Sequence, residues 1–308
     1  MKNNNTNKNS RVKGYLYCLI SYIIAFLIAI IVGVIFRFLH PLVMILLADL
    51  AATLVIFVIS SILKNTSFYD PYWSVAPLII TLYYLIFPSA SNYGNVRSII
   101  VSILVFIWSI RLTFNWLRQW QGLRHEDWRY MNYRQKLGRN FWVINLIGLQ
   151  LMPTILVYLG SISLYPILSL EGELFGVLDI LAIVVTISAI LFEAIADQQL
   201  YNFVQNRESP QEIITKGLWA YSRHPNYFGE ILFWWGLFLF GLSADITFYW
   251  AIIGPISITI IFNTVSIPLM EQRNILRKPK YLNYKKRVSR LIPWFPKKRN
   301  KCSIHFKG

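Results

Sequence analysis

The stretch Ser222-Arg223-His224-Pro225-Asn226-Tyr227-Phe228-Gly229-Glu230 holds a cation, an imidazole, an amide, a phenol and a carboxylate within nine residues. It stands between a polar segment and the apolar run Ile231 to Leu242. Ionisable groups near membrane depth are expensive, so such a cluster is a functional site by default. Pro225 blocks a regular helix through it, and Gly229 lets another group approach the backbone closely. Arg223 offers five fixed donors suited to phosphate or carboxylate. His224 could donate to a phosphate or a carbonyl. A cationic, donor-rich pocket of this kind suits an anionic cofactor. The plainer alternative, a juxtamembrane turn with one basic residue, leaves the Asn, Tyr and Glu unexplained.

Four other groups could do chemistry. Glu193 and Asp197 are four residues apart and share a helical face. They could accept from ribose hydroxyls or fix a nicotinamide amide, or they could neutralise Arg223 or Arg273. Glu271-Gln272-Arg273 precedes Tyr281 and Tyr284, whose spacing puts both rings on one face of a helix. That tail could equally be an interfacial helix anchored by Tyr, Trp294 and Lys. Asp70 lies among the aromatics of Ser67 to Ser74, where a raised pKa would make it a proton donor; Asp before Pro is also a routine turn former. His125 to Met131 could touch adenosine or ribose, with Tyr130 as an acid, or could be a solvated loop pairing its acids with Arg124 and Arg129. The two cysteines, Cys18 and Cys302, are not expected to pair, and no Cys/His group has metal-ligand spacing.

The elements that must position these residues are membrane helices. The 308 residues are 56% hydrophobic and 14% charged, with a mean hydropathy of +0.47; soluble domains carry about 25% charge. The apolar runs are long and lack the alternation of barrel strands. The expected fold class is therefore all-α, a polytopic membrane bundle of seven or eight transmembrane helices. Spans fall near 15–36, 42–63, 75–87, 98–117, 142–160, 176–196, 229–244 and 248–269, the third and seventh being short. Residues 1–14 read as a polar basic tail, 15–296 as one membrane domain whose first run is an uncleaved anchor, and 297–308 as a basic tail.

The formal charge of +16 fits basic loops on the cytoplasmic side, and no nucleic-acid-binding motif accompanies it. Counting from a cytoplasmic N-terminus, inner loops collect Lys64, Arg118, Arg124, Arg129, Arg134, Lys136, Arg139, Arg207, Lys216 and Arg223. The 160–176 loop carries Glu171 and Glu173 without Lys or Arg. This asymmetry predicts eight spans with both termini cytoplasmic, Cys302 included. The membrane would be the endoplasmic reticulum in a eukaryote or the inner membrane in a bacterium.

Together these residues resemble the steroid 5-alpha-reductase-like superfamily, and its microbial branch most closely. That branch combines Asp-x-x-Trp-Ser, Glu-Asp-x-Arg-Tyr, Ala-Asp-x-Gln, Ser-Arg-His-Pro-Asn-Tyr-Phe-Gly-Glu and a final Tyr-x-x-Tyr before Ile-Pro. The matching residues here fall within Asp70–Ser74, Glu126–Tyr130, Ala196–Gln199, Ser222–Glu230 and Tyr281–Pro293, so the resemblance covers roughly 60 to 296. It implies NADPH as cofactor and reduction of a carbon–carbon double bond conjugated to a carbonyl in a lipophilic substrate. Asn226 and Glu230 match cofactor contacts, and Asp197 the acid on the preceding helix. Arg223, His224, Tyr227, Glu271, Arg273 and Tyr284 are looser matches to the cofactor set; Glu193, on the same helical face as Asp197, joins it from the residue reading, and Asp70 and Tyr130 are the candidate catalytic acids. Steroid reductases hold the substrate carbonyl with a Glu and a Tyr. The chain departs there: Trp108, just before Arg111, is the best match to that Tyr, and Asp70 to Trp73 replaces the Glu region. S-adenosylmethionine-dependent membrane methyltransferases also carry Arg-His-Pro-x-Tyr, but with a Glu-Glu pair where this chain has Glu271-Gln272. A lipid-binding relative without chemistry is the third reading.

Overall fold

The computed structural model describes residues 2–88 and 96–297, with side chains from Arg11 onward; Cys302 lies outside the described residues. The helices are α1 (Lys2–Ile35), α2 (Pro41–Ile62), α3 (Tyr72–Ile86), α4 (Val96–Gln119), α5 (Trp128–Ser161) and α6 (Leu164–Ser169). They continue with α7 (Val177–Asn206), α8 (Pro225–Ala244), α9 (Ile246–Arg277) and α10 (Tyr281–Arg287). Among the described residues the only β-type pairing is an isolated bridge, Ser222 with Ser289.

Seven of these helices are long and apolar enough to cross a membrane: α1 from Arg11, α2, α4, α5, α7, α8 and α9. The chain is a multi-pass integral membrane protein. α3 forms where the third span was expected, but its 15 residues reach only about 22 Å at 1.5 Å per residue. The hydrocarbon core is about 30 Å thick. The seventh expected span gains length because α8 starts at Pro225, where a ring that fixes φ and lacks an N–H fits a helix start. Large apolar residues such as Leu19, Ile23, Val184 and Leu191 stay exposed along the spans, as a lipid-facing surface requires.

α5 and α9 each contain a widened π-helical stretch, Asn145–Leu151 and Phe262–Ser266. Both stretches end two residues before a proline, Pro153 and Pro268. A helix-interior proline removes one backbone donor and crowds the carbonyl four residues earlier. The widened turn absorbs that mismatch.

The chain packs as two compact units. Unit 1 comprises residues 1–179 and 237–254, and unit 2 comprises 180–236 and 255–308. In unit 1, α1 packs mainly on α2, and α3 packs on α4, α5 and α6. Near the start of α4, buried Arg97 meets Asp179 at 2.6 Å and donates to the carbonyls of Glu173 and Leu174. That pairing ties down the acidic 170–176 segment. In unit 2, Gly229 and Gly236 let α8 approach α7: a Cβ at Gly229 would stand 2.6 Å from Glu193 Cβ. The close approach read from Gly229 is thus its contact with α7.

Candidate functional site

Unit 1 brings together two elements 60 residues apart in sequence. The segment Asn65 to Tyr69 is buried, so its polar groups need partners. The 123–127 loop supplies them. Asn65 donates to the carbonyls of Leu123 and His125, the Thr66 amide donates to Glu126, and the Asp127 amide donates to Ser67. Asp127 then caps α5 by accepting from the Arg129 amide at 2.9 Å. This docking sets Tyr130, whose hydroxyl donates to Asp70 Oδ1 at 2.5 Å. Arg129 lies 3.8 Å from the same oxygen. Burial pushes the Asp70 carboxyl up to about 6, against the pull of Arg129 and of the Tyr130 hydrogen bond. Of the expected loop pairings, Asp127 meets Arg129, while Glu126 meets Arg134 at 2.8 Å.

A second acid–phenol pair lies on α2 and α3. The Tyr72 hydroxyl donates to Asp49 Oδ1 at 2.5 Å. Asp49 is 7% exposed, and its other oxygen has no partner among the described residues. Tyr72 stacks on Tyr69 with ring centroids 5.1 Å apart. The Tyr69 hydroxyl meets Thr154 at 2.7 Å, and Thr154 meets Thr53 at 2.7 Å. Thr154 also bonds the Gln150 carbonyl, and the Gln150 amide reaches Ser60 and Asn145. Asp49, Thr53 and Ser60 recur on one face of α2, so one helix face feeds a buried polar column into an apolar bundle. The motif reading missed Asp49, Thr53, Gln150 and Thr154, and took Tyr69 only as one of the aromatics around Asp70. A lone acid in a 22-residue apolar helix was the signal available, since an intramembrane carboxyl needs a partner. Trp108 is wholly buried.

Unit 2 gathers the nine-residue stretch with α7 and the C-terminal segment. The Phe228 amide donates to the His224 carbonyl, starting α8 at Pro225. Asn226 Nδ2 donates to Asp197 at 3.2 Å, and both side chains stay partly accessible. The His224 ring stacks on Tyr227, which meets Phe262 edge-on. Glu230 accepts from Trp234 at 2.9 Å, and Glu193 is buried against Gly229.

The buried Arg223 donates to Glu271 at 2.7 Å and to the carbonyls of Lys285 and Val288 at 2.6 and 2.8 Å. Glu271 also receives Lys285 at 2.8 Å. The partner of Arg223 is therefore Glu271, rather than Glu193 or Asp197. Tyr284 donates to the Trp219 carbonyl at 2.5 Å. Tyr281 and Tyr284 do share a buried face of α10, and burial raises both hydroxyls, Tyr281 to about 12. Arg223, Glu271 and Tyr284 thus hold the C-terminal segment against residues 219–223.

His224 Nε2 lies 3.6 Å from Glu271 Oε1, beyond a hydrogen bond. Burial lowers its pKa despite Glu271. A buried ring nitrogen short of a partner, beside an accessible amide–carboxylate pair, fits a ligand carrying donors and acceptors. Among the described residues, no group of three His, Cys, Asp or Glu could hold a metal.

Residues 56–288 match the family described as "Protein of unknown function (DUF1295)". The chain belongs to that family. The match takes in Asp70, Tyr72, Tyr130 and the whole 222–230 stretch, and begins after Asp49. The chain is also 26% identical to "Uncharacterized protein C594.04c" of Schizosaccharomyces pombe, over 92% of this chain and 88% of that protein. No solved structure matches the chain.

Proposed function

We propose that this DUF1295 protein is a membrane-embedded, NADPH-dependent reductase of a carbon–carbon double bond conjugated to a carbonyl in a lipophilic substrate. We place it in the steroid 5-alpha-reductase-like superfamily. The observation that carries the reading is the Asp49–Tyr72 pair. The superfamily's Glu-and-Tyr chemistry lacks a counterpart at Trp108, and a buried carboxyl bonded to a phenol at 2.5 Å offers the same chemistry from α2 and α3.

In this reading Asp49 enters the reaction protonated and donates to the Tyr72 oxygen, which turns the single Tyr72 proton toward the substrate's carbonyl oxygen. Negative charge grows on that oxygen as the reaction proceeds, and a donor fixed in an apolar surround stabilises it far better than water could. Asp70 and Tyr130 form the second candidate acid. With the Asp70 carboxyl near 6, it exchanges its proton readily around neutral pH.

Asn226, Asp197, Tyr227 and His224 are the residues that would hold the nucleotide, with Arg273, Glu193 and Glu230 around them. Arg223, Glu271 and Tyr284 would act by keeping that group in place. When bound, NADPH supplies a hydride from its nicotinamide ring; the protein orients it and excludes water. We further propose that both termini and the 222–230 stretch face the cytoplasm, on the basic-loop argument, with the short α3 as an eighth crossing: Asn65, before α3, meets Leu123 beyond the end of α4, so α3 returns the chain to the side where α4 begins.

The rival chemistry, methyl transfer from S-adenosylmethionine, has no need of a proton donor backed by a carboxyl. Two such pairs favour reduction. The test is nucleotide binding by the purified protein. NADPH should bind, and Asn226→Ala should weaken it roughly ten- to hundred-fold, the loss of one charge-assisted hydrogen bond. Binding of S-adenosylmethionine with no affinity for NADPH would reverse the assignment.

A further inference from the structure

We infer that the C-terminal segment of unit 2 is a binding site for an anionic phospholipid, its phosphate seated between Lys285 and Arg290. This inference stands apart from the reductase reading. A cavity of about 390 Å³ opens on α9, lined by Arg223, Glu271, Gln272, Lys285 and Arg290, with Leu276 on its apolar side. Three cations face one carboxylate there. Arg223 turns inward to Glu271 and two carbonyls, so the groups at the opening are Lys285, which also pairs with Glu271, Arg290, which also donates to the Asn263 carbonyl, and Gln272. Lys285 is 40% exposed, and Arg290 and Gln272 are exposed as well.

The surroundings select an anion and then select a lipid. From Gln272 to Lys297 the chain carries nine Lys or Arg residues and no acid. The crowding registers on Lys278, whose pKa is lowered by burial and then by Arg207 and Arg273. A soluble anion would need only the charge. This segment also exposes Leu276, Leu282, Ile292, Trp294 and Phe295, with Leu276 at 80% and Phe295 at 79%. Large apolar and aromatic side chains mixed with cations are the composition of a surface that sits in the headgroup layer of an anionic membrane.

The segment is held in register for that role. The Arg223 amide donates to the Ser289 carbonyl, Ser222 Oγ to the Leu291 carbonyl, and the Trp294 amide to the Tyr221 carbonyl. Arg290 donates to the Asn263 carbonyl in the widened turn of α9. The aromatic end and the basic cavity are therefore fixed on the same short strap.

The test titrates delipidated protein with phosphatidylglycerol, phosphatidylcholine or inorganic phosphate and counts bound lipid by native mass spectrometry. Phosphatidylglycerol should bind at least tenfold more tightly than phosphatidylcholine. Arg290→Ala, at an exposed residue, should weaken it roughly fivefold, as expected for one cation at an anionic surface. Trp294→Ser with Phe295→Ser should weaken both lipids. Three results would overturn the proposal: equal binding of the two lipids, displacement of phosphatidylglycerol by inorganic phosphate or by stoichiometric NADPH, or full affinity in Arg290→Ala. NADPH binding by Arg290→Ala, read separately, reports on the reductase assignment.

Discussion

Arg223→Ala should unfold the protein more readily rather than merely empty a nucleotide site. The guanidinium is 8% exposed and makes three hydrogen bonds inside unit 2, to Glu271 and to two backbone carbonyls. Removing it leaves Glu271 with Lys285 as its near cation and leaves the Lys285 and Val288 carbonyls short of a donor. Breaking one partner out of a buried pair costs about 3–5 kcal/mol, most of it the penalty of the stranded groups. The paired change Arg223→Ala with Glu271→Ala also removes the carboxylate left with Lys285 alone. It should cost less than the sum of the single changes by about 1–3 kcal/mol, the size of coupling between contacting groups. Equilibrium unfolding in mixed detergent micelles, followed by circular dichroism, measures both quantities. An Arg223→Ala protein as stable as wild type but unable to bind NADPH would refute the reasoning and make Arg223 a direct ligand contact.

Three further outcomes are expected. Tyr72→Phe should lower turnover about a hundredfold or more while leaving NADPH affinity unchanged, because its hydrogen bond strengthens only as charge grows on the substrate oxygen; if Tyr130→Phe alone shows that pattern, the Asp70 pair is the acid. Asp70 binds its proton more tightly folded, near 6 against an ordinary 3.8, so the fold gains from protonated Asp70 at acid pH and loses that gain as pH rises from about 4 through 6. Asp70→Asn should therefore be more stable than wild type at pH 7.5 by up to about 3 kcal/mol, with a flatter thermal-unfolding profile between pH 4 and 6; lower stability at pH 7.5 would contradict this. For topology, Lys8→Cys and the native Cys302 should label from the same side with an impermeant thiol reagent, as eight crossings require, and labelling from opposite sides would reject the eight-span count in favour of seven.

Much of the scaffold was legible because membrane helices announce themselves by uninterrupted apolar length. Pro225, read as blocking a helix, instead opens α8 four residues before the expected span, and the close approach expected at Gly229 is made by α7. Asn226 and Asp197 were each flagged for chemistry, but their contact was not expected: the partners considered for Asp197 were Arg223 and Arg273. The 67–74 and 125–131 elements were visible separately, but their docking rests on buried Asn65 and Ser67 seeking backbone partners 60 residues away, which spacing cannot show. Asp49 was hidden differently. Its partner Tyr72 comes from another helix, and a single acid in a hydrophobic run carries no motif. Arg223 was read by its charge, yet its geometry turns it inward to carbonyls of a segment more than 60 residues on. Nothing in the local pattern distinguishes an Arg that meets a phosphate from one that holds a tail.

The central claim is hydride transfer to a lipid enone. Purified protein should be supplied with NADPH deuterated at nicotinamide C4 and a panel of enone lipids, with product deuterium located by mass spectrometry and NMR. The account predicts one deuterium at the carbon beta to the carbonyl, with its appearance suppressed in Tyr72→Phe. Deuterium recovered only in water, or methyl transfer from S-adenosylmethionine to the same lipids, would contradict it.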